Sequence, residues 1–196
     1  PVSNLPVPPA RPFDLDTIGG ASQPVAPAAG NGGQRISRGE ALPPARPTDL
    51  LFLVQDNPFV PRGREGLFLR GLHAGLHGDL VVALHLLLPQ IEHSLREIFT
   101  ARGIITSKLE SDQTQDERDL GWMLAHTEMP KIFGPGMAFD LRGLLVERFG
   151  LNLRNDIAHG LLAEPQMITE GALYVWWLTL RLCCIPIAAA QQESNT

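Results

Sequence analysis

Ten of the seventeen prolines fall in the first 49 residues, at Pro1, Pro6, Pro8, Pro9, Pro12, Pro24, Pro27, Pro43, Pro44 and Pro47. Proline lacks a backbone N–H and has a fixed φ, so neither a helix interior nor a central strand tolerates such a density. The same stretch holds Gly19, Gly20, Gly30, Gly32, Gly33 and Gly39 and shows no apolar periodicity. A segment like this cannot bury enough surface to offset its chain entropy. Residues 1–49 are therefore expected to be a linker or arm. Since the chain starts at Pro1 and not at methionine, an upstream segment is expected as well. The folded part is expected over residues 50–190, with 191–196 as a tail.

From residue 50 the pattern is helical. Arg64–His77 is apolar and glycine-rich and stops at Gly78. Asp79 is placed to cap a long helix, Leu80–Thr100, closed by Gly103. Ser107–Glu117 reads as a polar loop, followed by a short helix over Glu117–Ala125 and a break at Pro130. Pro135 and Gly150 bracket a helix over Gly136–Phe149, and Leu151–Leu162 is the next helical piece. Thr169 is placed to cap a last helix over Glu170–Ile185, which Pro186 should close. With no convincing strand, the expected fold is an all-α bundle.

Composition narrows the function classes. Sixteen basic residues against twenty-one acidic ones give a net charge of −5, which argues against a protein that coats nucleic acid. That charge is unevenly placed. Residues 111–130 hold five acidic side chains against Arg118 alone, a local −4, whereas 131–163 carry four basic against three acidic, a local +1. A phosphate site in the second stretch is therefore compatible with an acidic chain. Two cysteines, the adjacent Cys183 and Cys184, exclude a disulfide scaffold and are expected to be reduced. The longest apolar run, Ala172–Ala190, is interrupted by Arg181, which suits a buried bundle helix better than a bilayer span. No signal peptide is visible, so a cytoplasmic location without membrane contact is expected.

The most informative segment is Leu151–Leu162. At 100° per residue, Leu153, Ile157, Ala158, Leu161 and Leu162 share one arc, and Asn152, Asn155, Asp156 and His159 the other. Arg154 falls inside the apolar arc and so needs a partner. On the long helix, Leu80, Leu84, Leu87, Leu88, Ile91, Leu95 and Ile98 form an apolar face bordered by His85, Glu92 and Arg96. Glu92 is the best candidate to hold Arg154 through a bidentate carboxylate–guanidinium contact. Pro89 should bend this helix. Taken alone, His159 and Gly160 also make an ordinary helix end, a cation at the negative pole followed by a C-capping glycine.

Arg154-Asn155-Asp156-Ile157-Ala158-His159-Gly160 resembles the RNxxxHG signature of a domain-of-unknown-function family related to the endoplasmic reticulum membrane-associated RNA degradation proteins. That signature is a form of the Rx4–6H motif of the HEPN superfamily. The likeness extends to Asn57-Pro58-Phe59-Val60-Pro61, to Leu88-Pro89-Gln90-Ile91-Glu92-His93-Ser94-Leu95-Arg96, to Leu145-Val146-Glu147-Arg148-Phe149-Gly150 and to Trp176-Trp177. It spans roughly residues 48–187. The resemblance implies a HEPN-like helical bundle, commonly a homodimer, and in active members a metal-independent endoribonuclease. It implies Arg154 and His159 as the catalytic pair and Asn155 as the polar residue that accompanies them.

These residue types suit the chemistry. Metal-free RNA cleavage must deprotonate the 2′-hydroxyl, protonate the 5′-oxygen and stabilise the charge on the phosphorane. Histidine titrates near neutrality, and the arginine fork fits phosphate oxygens. One chain offers one motif histidine, and an isologous dimer would bring two together at its axis. Glu92, Arg96 and Asp156 are the expected supporting residues, RNA the substrate, and an upstream domain or inhibitor a further expected partner. The alternative is a non-catalytic helical module that uses Arg154 and His159 to bind a nucleotide or a partner. No cofactor is expected. His73 and His77 have the spacing of a zinc pair, but no carboxylate or cysteine nearby in sequence completes a set, so no metal is expected. His126 is expected on the surface and His93 on the solvent side of its helix. Trp176 and Trp177 are expected in the core or a dimer interface.

Overall fold

A computed structural model describes residues 44–109 and 115–194. The arm assigned to residues 1–49 lies outside the described residues up to position 43, as do residues 195–196 of the tail. The described part begins with a 3₁₀ helix over Pro47–Leu53, which straddles the expected boundary. It continues with α1 (Glu65–Leu76), α2 (Leu80–Ala101), a hairpin of β1 (Ser107–Leu109) and β2 (Gln115–Glu117), α3 (Leu120–Ala125), α4 (Met129–Leu145), α5 (Leu153–Ala158), α6 (Glu164–Met167) and α7 (Glu170–Ser194). The architecture is mostly helical. Helix α2 lies at its centre and packs against α1, α3, α6 and α7, while the 3₁₀ helix covers α1 and α7.

Local signals explain most of the boundaries. Asp79 accepts a hydrogen bond from the Val82 N–H at 3.0 Å, and Asp119 one from the Trp122 N–H at 2.7 Å, capping α2 and α3. Thr169 caps α7 through Ala172 at 3.2 Å. Helices α1, α2 and α5 end by one device. Gly78, Gly103 and Gly160 each have positive φ. The residue after each glycine donates to a carbonyl five positions back: Asp79 to Ala74, Ile104 to Phe99 and Leu161 to Asp156. These are Schellman ends, which satisfy carbonyls that the helix leaves open.

Four expectations are corrected. Ser107–Glu117 is not all loop: Ser107 pairs with Glu117, Lys108 with Asp116 and Leu109 with Gln115. Strands of three residues are too short to show an alternating pattern. Pro130 starts a helix instead of breaking one, because the first helical positions donate no intrahelical bond. The break falls at Gly134, whose φ of 76° kinks α4 just before Pro135. Helix α4 also stops at Leu145, short of Phe149. Pro186 does not close α7, which continues to Ser194. A proline costs one backbone bond and a local clash, and Ala188, Ala189 and Ala190, which follow after Ile187, are the strongest helix formers. Asn57 ties this stretch of α7 to the segment after the 3₁₀ helix. Its buried amide donates to the Leu53 carbonyl and to the Cys183 carbonyl, both at 2.7 Å, and its Oδ1 accepts from Phe59 N–H at 2.9 Å.

All seven residues of the expected apolar face of α2 are buried. Helix α7 buries Ala172, Val175, Leu178, Leu182 and Cys183. It is also long and apolar enough to cross a membrane by length and composition. Trp176 lies across Gly75 of α1, and its indole N–H donates to the Leu72 carbonyl at 3.0 Å. Trp177 instead faces outward, stacked on Tyr174 with the Arg181 guanidinium over its ring. His126 is half-buried, not a simple surface residue. It packs between Phe99 and Trp122, and its Nδ1 accepts from Glu128 N–H at 3.2 Å.

A Cβ at Gly75 would overlap the Trp176 ring. Gly75→Ala should therefore destabilise the fold by about 1–3 kcal/mol, seen as a lower urea midpoint at unchanged m-value. Cys183 is buried and burial raises its thiol well above the usual range, whereas Cys184 is exposed with a thiol raised less. Iodoacetamide should modify Cys184 alone in the native protein, and both cysteines after unfolding, as read by mass spectrometry.

Candidate functional site

Helix α5 is only six residues long and is built from both ends. At its start Asn152 has a left-handed backbone (φ 48°), a conformation that asparagine tolerates better than most residues. At its end Gly160 stops the helix one residue after His159. Leu153 is the buried anchor, and Ile157 and Leu162 pack partly against the core. Ala158 and Leu161, expected in the same arc, are exposed. The helix ends at Ala158, so the 100° spacing does not carry through to Leu161. Helix α5 leans on α4, and the Leu151 N–H donates to the Gly143 carbonyl at 3.0 Å.

Arg154 finds the partner that its position demands. Its Nε and Nη2 donate to the Glu92 Oε2 at 3.1 and 3.0 Å. The geometry differs from the bidentate one expected, because both nitrogens converge on a single carboxylate oxygen. The other oxygen, Oε1, is taken by Arg96 Nη2 at 3.2 Å. Arg96 Nη2 also lies 3.1 Å from the Arg118 carbonyl, and the Arg118 guanidinium sits 4.3 Å over the Trp122 ring. The three charged side chains are mostly shielded, with 16% of Glu92, 19% of Arg96 and 28% of Arg154 exposed. At that burial a carboxylate bonded by two guanidinium groups is far more than a surface ion pair.

On the other side of Arg154, its Nη1 donates to Asn155 Oδ1 at 3.1 Å. Asn155 Nδ2 donates to Asn152 Oδ1 at 2.8 Å, and Asn152 Nδ2 donates to Asp156 Oδ1 at 2.9 Å. Arg96, Glu92, Arg154, Asn155, Asn152 and Asp156 thus form one chain of hydrogen bonds across α2 and α5. Asn155 turns its amide to Arg154 and Asn152, not to the His159 ring. His159 is exposed at the helix end, and its ring hydrogen-bonds to none of the described residues.

Two members of this arrangement carry little signal in the sequence. Asn152 was visible on the polar side of α5 but not as the link between Asn155 and Asp156, which needs its left-handed backbone. The Arg118 carbonyl carries no sequence signal, since any residue there would offer one. Among the described residues no group of three or more His, Cys, Asp or Glu side chains is placed to hold a metal ion.

Comparison of the chain with protein-family models, with curated proteins and with solved structures returned no match.

Removing the shared carboxylate should leave Arg154 and Arg96 facing each other without compensation. Glu92→Gln is expected to cost about 1–3 kcal/mol of stability. In a double-mutant cycle with Arg154→Gln, the two losses should add to clearly more than the loss in the double variant. Urea denaturation of the four proteins measures this coupling.

Proposed function

We propose that this chain is a metal-independent endoribonuclease of the HEPN type, with Arg154 and His159 as its catalytic pair. The observation that carries this reading is an arginine of α5 held by Glu92 and Asn155, with an exposed imidazole at the C-cap of the same helix that hydrogen-bonds to none of the described residues. A guanidinium has five N–H donors, and three are used here. The remaining two can reach phosphate oxygens without breaking the ion pair. His159 is free to exchange protons with a bound ribose or leaving group. Attack by the 2′-hydroxyl would leave a 2′,3′-cyclic phosphate and a 5′-hydroxyl.

Separate acid and base roles call for a second histidine, which a second copy of the chain would supply. Exposed apolar surface supports such a partner. Eight of the twelve large exposed hydrophobic side chains among the described residues lie between Phe139 and Trp177, including Phe149, Leu151 and Leu161 on either side of α5. A homodimer with α5 near its axis would cover Phe149, Leu151 and Leu161 and bring both motifs together.

A second reading has its own support. Most of the Arg154 donors point to protein groups, as in a structural arginine, so the same site could hold a nucleotide or partner without cleaving it. One assay separates the two. Purified chain incubated with mixed RNA in EDTA should yield fragments ending in cyclic phosphate. His159→Ala and Arg154→Ala should each lower the rate by at least about a hundredfold. His159→Ala should leave stability within about 0.5 kcal/mol of wild type, since its ring is exposed and hydrogen-bonds to none of the described residues. Cleavage that survives both substitutions, or that EDTA abolishes, would overturn the nuclease reading.

A further inference from the structure

One short segment occurs twice in the chain. Pro8-Pro9-Ala10-Arg11-Pro12-Phe13-Asp14-Leu15 and Pro43-Pro44-Ala45-Arg46-Pro47-Thr48-Asp49-Leu50 agree at seven of eight positions, 35 residues apart. Residues 8–15 lie outside the described residues, and the second copy is described from Pro44. In that copy the shared residues have visible tasks. The Ala45 carbonyl lies 2.9 Å from the Nε2 atoms of both His73 in α1 and His77 at its C-cap. A carbonyl only accepts, so both rings donate to it. The Arg46 N–H and guanidinium donate to the Asp49 carboxylate at 2.9 and 3.5 Å, which caps the turn. Pro47 opens the 3₁₀ helix with its φ already set, and Leu50 packs against the core. Nothing in the RNA-cleavage reading uses this strap.

The single difference between the copies is Phe13 for Thr48, and Thr48 is exposed, so it leaves the docked contacts untouched. Three residues beyond the repeat, Ile18 stands where the second copy has the buried Leu53. We propose that residues 8–15 are a second occupant of the α1 face, docking there in place of residues 43–50 of the same chain. The Ala10 carbonyl then takes the bonds of His73 and His77, and Asp14 caps the turn at Arg11. The prolines set much of the backbone in advance, so less ordering remains to be done on docking. Two features favour the resident copy. Asp16 stands where the second copy has the half-buried Leu51, and docking the first copy loops out the residues between the two. The cost of a loop grows only with the logarithm of its length, so the first copy docks as a minor state. A tethered segment meets its site at a local concentration above that of a second chain in solution, so the occupant is the chain's own. The exchange moves the point at which the arm is fastened to the helices from Ala45 to Ala10. It is independent of RNA cleavage, which belongs to α5.

The test places a nitroxide on the full chain through Phe13→Cys, the position that matches exposed Thr48, with Cys184→Ser removing the exposed native thiol. Paramagnetic relaxation detects lightly populated states, so the label should broaden the imidazole resonances of His73 and His77. Asp49→Ala uncaps the resident copy and should raise that broadening by at least about threefold. Arg11→Gly/Asp14→Gly should lower it by at least about threefold. Dilution should not change it, and circular dichroism should show all variants folded. Broadening that persists undiminished in Arg11→Gly/Asp14→Gly overturns the proposal. So does its absence both with the resident copy intact and with Asp49→Ala. Broadening seen only between different chains, when spin-labelled and isotope-labelled protein are mixed, assigns the occupant to a second copy and overturns it as well.

Discussion

Helix α2 meets α1, α3, α6 and α7, and eleven of its 22 residues are buried. Each large apolar side chain removed from water contributes about 1.5–3 kcal/mol. The buried set spans the helix from Leu80 to Phe99, so α2 cannot shift along its axis without exposing part of it. Its position in turn fixes Glu92 and Arg96, which sit at the border of the apolar face. A carboxylate at that border is shielded enough to bind both guanidinium groups strongly. The short helix α5 is then held from above by Glu92 and from below by Leu153. Neither hold alone would order six residues, since an isolated helix of that length does not form in water.

The charge arrangement has a consequence for chemistry. Glu92 is shared by Arg96 and Arg154, so a single negative group balances two positive ones at the inner end of the network. Arg154 keeps part of its positive field while losing its conformational freedom. A fixed cation with spare donors suits phosphate recognition better than a floppy one, because little ordering remains to be done on binding. The asparagine pair on the other side limits where Arg154 can swing. His159 is excluded from all of this, and its freedom is as much a product of the Gly160 helix end as of its own chemistry.

Much of the helical layout was legible in the sequence, for a physical reason. Caps and glycine ends are local, so Asp79, Thr169, Gly78, Gly103 and Gly160 announce themselves within four or five residues. The apolar face of α2 repeats over several turns and emerges from spacing alone. The break expected at Pro186 does not form because that rule is also local, and the cost of the proline is outweighed by packing and by the alanines beyond it. The pairing of Ser107–Leu109 with Gln115–Glu117 is not legible in the sequence, because three residues a strand carry no periodic pattern.

The sequence by itself determined that Arg154 must be paired, because a guanidinium on an apolar arc has no other stable state, and it pointed to Glu92. Only the tertiary structure decided how. It brought both arginines onto separate oxygens of one carboxylate and drew Asn152 into the chain. It also set the Ala45 carbonyl between two histidines. Those outcomes depend on where backbone atoms and left-handed residues lie in space, and spacing along a chain does not encode them.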